Sequence, residues 1–215
     1  QECNTTDKTA EQYQSKFKEG VRLVFYDKVD PTPRKDEKEA RSETETFKNA
    51  AETIVDDYKE IDKGTKVKTV SLQINSREEI QSAIEKQELG SIVSMDIISH
   101  SGSDKKKLYF SAIFNTKNYL QPKQIVADRF NPKAVIELHG CNSGLEGVVG
   151  GIGKDISQKL PEATVIGHAT KSNPNHPHSN LSDYRHGKVN VYKGGELKET
   201  GQREKMKIHW NSAEK

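Results

Sequence analysis

"AVIELHGCNSG", residues 134–144, decides the fold. Its apolar run ends at Leu138 and breaks into His139, Gly140, Cys141, Asn142, Ser143 and Gly144. A short, dense apolar run of this kind has the length of a parallel strand buried on both faces. Four others share its character: "VRLVFYDKV" at 21–29, "KVKTVSLQI" at 66–74, "SIVSMDIIS" at 91–99 and "ATVIGHA" at 163–169. Helical patterns lie between them. Residues 35–60 carry Phe47, Ala51, Ile54, Val55 and Tyr58 on one face at helical spacing. Ser76, with Glu79 three residues on, opens a helix that runs to Leu89 and stops at Gly90. "GLEGVVGGIGKDISQKL", 144–160, is predicted as a helix capped by Asn142 and Ser143. Strands alternating with helices predict an α/β domain with a mostly parallel sheet and helices on both faces.

Outside that alternation the style changes. Residues 1–20 form a polar leader, expected to be disordered. The α/β domain spans 21–170. Residues 171–215 are an extension packed on the same domain, a polar loop followed by a β-hairpin turning at Gly194-Gly195. "KKLYFSAIF" (106–114) reads as a hairpin arm, "PKQIVADRF" (122–130) as a helical turn, and "KMKIHW" (205–210) as a last short strand.

The 34 basic and 32 acidic residues leave a net charge of +2, which gives no reason to expect nucleic acid as a partner. The run Lys105-Lys106-Lys107 reads as an exposed turn. No apolar stretch is long enough to span a bilayer. Two cysteines, Cys3 and Cys141, make no disulfide framework. The chain starts at Gln1 rather than Met, which fits a removed signal peptide and a secreted or periplasmic protein. "GVVGGIGK" fails as a phosphate loop, because Val148 stands where the first glycine is required and Asp155 follows the lysine. His168, His176, His178 and His186 crowd one stretch without a partner cysteine or a helical pair, so they read as loop histidines. No metal and no cofactor is expected. Asp96 shares a strand face with His100, but the reach between them along the strand exceeds about 10 Å, so it is given no role.

Two strands exit into residues with chemistry. The third ends in His100-Ser101-Gly102 and the fourth in His139-Gly140-Cys141. In parallel sheets such residues gather at the carboxyl edge. If these strands are parallel neighbours, His100 and Cys141 emerge on one edge, about 5 Å apart strand to strand. A helix starting just after Cys141 would favour its thiolate. His100 would take the thiol proton and later protonate a leaving amine. Gly140 would let a substrate backbone come close. The N–H groups of Cys141 and Gly102 would meet a developing oxyanion, each such donor typically worth about 3 to 4 kcal/mol.

An apolar strand ending in His100, Ser101 and Gly102, then an apolar strand ending in His139, Gly140 and Cys141, resembles the caspase-like cysteine peptidases. The bacterial members, such as clostripain, the gingipains and the self-cleaving domains of large toxins, are the most similar. The resemblance covers residues 66–170. It implies the three-layer caspase-like fold and hydrolysis of peptide bonds through a thioester acyl-enzyme. His100 would be the catalytic imidazole and Cys141 the nucleophile, with Gly102 and Cys141 as oxyanion donors. The partner would be a peptide or protein substrate, and the chain a monomer. Many members carry glycine directly after the histidine, where this chain has Ser101. His139 holds the position that often lines the pocket for the side chain preceding the cut bond. Ser101, His139 and Gly140 are therefore the candidate substrate contacts. Two other functions fit the same resemblance. One is a catalytically inactive peptide-binding module, to which Ser101 points. The other is the self-processing protease domain of a bacterial toxin or effector.

Overall fold

The computed structural model describes residues 13–31, 36–101, 108–109, 118–141, 143–144, 151–169, 187–206, 208 and 210–212. Its centre is a seven-stranded sheet. In chain order the strands are β2 (Glu19–Asp27), β3 (Lys66–Ile74), β4 (Ile92–Ile98), β7 (Phe130–Leu138), β8 (Thr164–His168), β9 (Lys188–Lys193) and β10 (Glu196–Gln202). In space they run β10-β9-β8-β7-β4-β2-β3. Pairs from β3 through β8 are parallel, and β9 and β10 add antiparallel strands at one edge. This is the mostly parallel α/β sheet that the apolar runs predict.

Among the described residues, three helices cover it. Helix α1 (Glu37–Ile61) packs on one face through Phe47, Ala51, Ile54 and Tyr58. Helices α2 (Arg77–Glu85) and α3 (Ile152–Lys159) pack on the other with Ile80, Ile84, Ile152 and Ile156. Right-handed crossovers require this division. The chain moves one way along the sheet from β2 to β3 and the opposite way from β3 to β4 and from β7 to β8. The reversal makes a switch point between β2 and β4, the place where open α/β sheets form a crevice at their carboxyl edge. No helix among the described residues is long and apolar enough to cross a membrane.

Several boundaries differ from the sequence expectation. The expected leader does not extend to residue 20: β1 (Tyr13–Ser15) pairs with β11 (Trp210–Ser212), and Ser15 and Phe17 are buried. Phe17 and the Arg22 guanidinium, which bonds Ser15 Oγ at 3.0 Å, give this polar stretch something to fold onto. Residues 1–12 lie outside the described residues. Helix α1 starts on a reciprocal capping box between Asp36 and Glu39. Helix α2 stops at Glu85 rather than Leu89. Gln87 and Glu88 offer nothing apolar at the next core positions, Leu89 is 69% exposed, and Gln87 Nε2 turns back to the Ala83 carbonyl at 3.0 Å.

Strand β7 begins before Pro132. The β4–β7 register is irregular between the pairs Ile92–Phe130 and Ser94–Val135, which accommodates a residue that cannot donate to the ladder. The expected helical turn at 122–130 is two 3₁₀ turns, Pro122–Gln124 and Ala127–Arg129. The hairpin turns at Gly194-Gly195, where both residues have positive φ, 61° and 79°, as a tight two-residue turn demands. Of the expected strand at 205–210, Lys205 closes a 3₁₀ turn, Arg203–Lys205, and Trp210 belongs to β11, while Lys207 and His209 lie outside the described residues. Of the hairpin arm at 106–114, β6 (Leu108–Tyr109) pairs with β5 (His100–Ser101), and the remainder lies outside the described residues.

Candidate active site

Strands β4 and β7 are parallel neighbours, with Ile97 opposite Leu138. The ladder continues one residue further, His139 N–H donating to the Ile97 carbonyl at 2.9 Å. His100 and Cys141 each lie three residues beyond that registered pair. The chain thus leads both out past the same edge of the sheet, His100 into the β5–β6 ribbon and Cys141 into a turn, each the same number of residues beyond the last registered pair.

Side-chain alternation decides what His100 meets. Met95 and Ile97 join the core on the α2–α3 face, whereas Ile98 joins the cluster under α1. His100 follows the parity of Ile98. Its ring meets Phe47 of α1 edge-on, centroids 5.1 Å apart, and its Nε2 stands 2.8 Å from Oε1 of Glu43. That spacing is a hydrogen bond's, but the ring N–H is not aligned on the oxygen. The His100 and Glu43 side chains are 30% and 25% exposed.

Cys141 is half-buried and opens a turn. Ser143 N–H bonds the Gly140 carbonyl at 3.1 Å. Ser143 Oγ donates to the Leu138 carbonyl at 2.7 Å and accepts from His168 N–H at 3.2 Å. Gly144 N–H donates to the His168 carbonyl at 2.8 Å, and the Gly144 carbonyl accepts from Tyr192 OH at 2.6 Å and Asn190 Nδ2 at 2.9 Å. Gly144 and Gly167 touch backbone to backbone, so closely that a Cβ on Gly144 would lie 2.1 Å from the Gly167 carbonyl oxygen. The turn carrying Cys141 is therefore stapled to β8 and β9.

The helix behind Cys141 is not where the sequence puts it. Helix α3 starts at Ile152 with Gly151 as its N-cap, and residues 143–144 are turn. Ser143 uses its hydroxyl on the Leu138 carbonyl and the His168 N–H, so it caps nothing. The first turn of α3 nevertheless packs against the turn that carries Cys141: a Cβ on Gly153 would lie 3.3 Å from the Ser143 carbonyl oxygen. Asn142 and Gly102, one of the expected oxyanion donors, lie outside the described residues.

His139 departs most from expectation. It is fully buried, with Nε2 2.8 Å from Oδ1 of Asp96. Asp96 Oδ2 accepts from Tyr58 OH at 2.5 Å. A side chain so enclosed cannot line an open substrate pocket, and Asp96 belongs to His139 rather than to His100. Gly140 is buried, and Ser101 is half-buried in the β5–β6 ribbon. Ser101 Oγ has no hydrogen-bond partner among the described residues. His168 is not a loop histidine: it ends β8, is buried, and its ring centroid is 6.1 Å from that of His139. His176, His178 and His186 lie outside the described residues.

Asp96, Glu137 and His139 bring donor atoms within 4.8 Å of one another, a spacing that a metal ion could bridge. Each carboxylate oxygen already accepts from a protein donor. Asp96 is bonded to His139 and Tyr58, and Glu137 to Arg203 Nε at 2.5 Å and Nη2 at 3.0 Å. The arrangement is a saturated network rather than a ligand set.

Sequence reasoning missed Glu43, Tyr58 and Arg203 as parts of this edge. Tyr58 was visible only as a member of the α1 apolar stripe, and Glu43 precedes Phe47 by one helical turn on that same stripe. Nothing in the sequence around Arg203 pointed to Glu137.

No protein-family model matches this chain, and no curated protein matches it. Among solved structures it is similar to "structure of pro-sf-caspase-1", with 13% identity, a TM-score of 0.40, and alignment over 80% of this chain and 71% of that one. A likeness at that level bears on neither the site nor the activity.

Proposed function

We propose that the protein is a cysteine peptidase of caspase-like type, with Cys141 as nucleophile and His100 as its base and acid. The observation that carries the proposal is the register of β4 and β7, which leads a thiol and an imidazole out past one sheet edge. Both side chains are partly exposed, and both are tied to rigid elements.

His100 takes the thiol proton as Cys141 Sγ bonds to the scissile carbonyl carbon, and the carbonyl π pair moves onto oxygen. The C–N bond then breaks, the amine leaving with the proton from His100, and an acyl thioester remains. Water attacks the thioester and gives its proton to His100. The carboxylic acid departs and the thiolate recovers the proton. The Cys141 N–H is the candidate oxyanion donor from the described residues.

A peptide-binding module without turnover is the second reading. It is favoured by Ser101, which stands between His100 and the glycine expected as an oxyanion donor. Alkylation by iodoacetamide or a peptidyl acyloxymethyl ketone, with the adduct mapped by mass spectrometry, separates the two readings when paired with a peptide-library cleavage assay. A peptidase shows a Cys141 adduct and cleavage that Cys141→Ala and His100→Ala abolish. Cleavage that survives Cys141→Ala overturns the proposal, and no cleavage together with peptide binding unchanged by that substitution establishes the second reading.

A further inference from the structure

His100 does not stand at the sheet edge unsupported. Its Nε2 is 2.8 Å from Glu43 Oε1, and its ring is braced edge-on by Phe47, one helical turn along the same face of α1. Residues His100 and Ser101 are also fixed from the other side by pairing with Leu108–Tyr109. The Glu43 side chain is three-quarters covered, on a helix anchored by Phe47, Ala51, Ile54 and Tyr58, so its carboxylate is held rather than waving in water. From these contacts we infer that Glu43 is a positioning residue for His100, an inference that rests on the peptidase reading above.

The chemistry follows from the two nitrogens of the ring. A carboxylate only accepts, so it selects the tautomer with the proton on Nε2. In that tautomer Nδ1 is the nitrogen with the lone pair to take the thiol proton. When His100 takes that proton the ring becomes positive, and Glu43 already faces it. The ring must turn for its N–H to meet the carboxylate oxygen, and such bonds commonly tighten only once substrate is bound. Glu43 also sits beside the switch point between β2 and β4, where the crevice of such a sheet opens. The site is then a triad assembled from α1, the exit of β4 and the exit of β7.

The test compares the whole chain with Glu43→Gln, Glu43→Ala and Cys141→Ala. Peptide hydrolysis gives kcat and KM, thermal melting reports folding, and nitrogen NMR of labelled histidine reads the His100 tautomer, assigned by its loss in His100→Gln. Glu43→Ala is expected to lower kcat by about 10- to 100-fold, a part of what a positioned base supplies. KM should stay within about twofold, and His100 should shift from the Nε2-protonated tautomer to a mixture. Glu43→Gln keeps an acceptor without the charge and should fall between. If Cys141→Ala is inactive but Glu43→Ala keeps kcat and the wild-type tautomer, the inference is overturned and the peptidase reading stands. A fall in kcat matched by a fall in melting temperature, with the tautomer unchanged, also overturns it, because that is a structural role. Hydrolysis that survives Cys141→Ala overturns the peptidase reading itself.

Discussion

Tyr58→Phe removes one oxygen and nothing else. The Tyr58 ring stays in its slot, buried on α1, with the Arg22 guanidinium 4.3 Å above it. What disappears is the hydrogen bond from the phenol to Asp96 Oδ2, 2.5 Å long and wholly enclosed. Hydrogen bonds to charged groups contribute roughly 1.5 to 3 kcal/mol, and the stranded carboxylate oxygen keeps its desolvation cost. The variant should be about 2 kcal/mol less stable, a fall in Tm of roughly 4–8 °C for a chain of this size. Tyr192→Phe is the matched control. Its phenol donates at 2.6 Å to the neutral Gly144 carbonyl, which also accepts from Asn190, so the loss should be nearer 1 kcal/mol. Urea unfolding of both variants measures the difference. A double-mutant cycle with His139→Phe adds a second reading, because both residues bond Asp96 and their removal should couple by more than about 0.5 kcal/mol. Tyr58→Phe within about 0.5 kcal/mol of wild type, or strict additivity with His139→Phe, would refute the reasoning that Tyr58, Asp96 and His139 act as one bonded unit.

Gly144→Ala would put a Cβ 2.1 Å from the Gly167 oxygen and 2.4 Å from its carbonyl carbon, so backbone must move. The expected loss is at least about 1–3 kcal/mol in urea unfolding, with a changed alkylation rate at Cys141, whose turn this glycine tethers. Arg203→Met strands the buried Glu137 carboxylate and should cost about 3–5 kcal/mol by thermal melting, while adding Glu137→Leu should recover most of it. Burial pushes the Asp155 carboxyl above its ordinary value near 3.8, against a smaller opposing pull from Lys154. A raised carboxyl favours the fold while protonated, so its contribution is full below the ordinary value and is lost as pH rises through the folded one. Asp155→Asn should therefore gain on wild type across that window in melts run from acid to neutral pH.

The sheet was legible because its strands are short apolar runs that no amphipathic helix would produce. The candidate site was legible only as far as strand exits carry it: position along a parallel strand predicts the edge and the neighbouring strand, here β4 beside β7. Direction was not legible. Whether His139 faces a pocket or the interior depends on which side α1 lies and on Asp96 and Tyr58, 43 and 38 residues apart from their partners in sequence. The helix expected at residue 144 failed for a local reason. Asn142 and Ser143 are good caps by type, but a serine hydroxyl serves a helix only if it is not already spent, and here it ties β7 to β8. Glu43 could not be found from charge patterning, since α1 has many acids and only the fold selects the one facing β4.

The two faces of the sheet are built differently. Under α2 and α3 the packing is almost purely apolar, whereas the α1 face carries Arg22, Ser94, Asp96, Glu137 and His139. Apolar residues of similar volume would commonly be as stable or more so, because ions must be stripped of water before they are paired. Stability alone therefore does not account for the row. Asp96 and Glu137 are cross-strand neighbours, an arrangement of like charges that is unfavourable unless each is drawn to its own donors. Those donors lie on different elements: Tyr58 on α1 and His139 at the exit of β7 for Asp96, and Arg203 after β10 for Glu137. Hydrophobic contact tolerates sliding, but a hydrogen bond loses its value when its angle opens. Bonds of this kind, made at the last residues before His100 and Cys141, fix the height of β4 against β7 and the approach of α1 to both. The segments that follow β4 and β7 keep their mutual position only if the strands cannot slip, and this face supplies the directional contacts that oppose slipping.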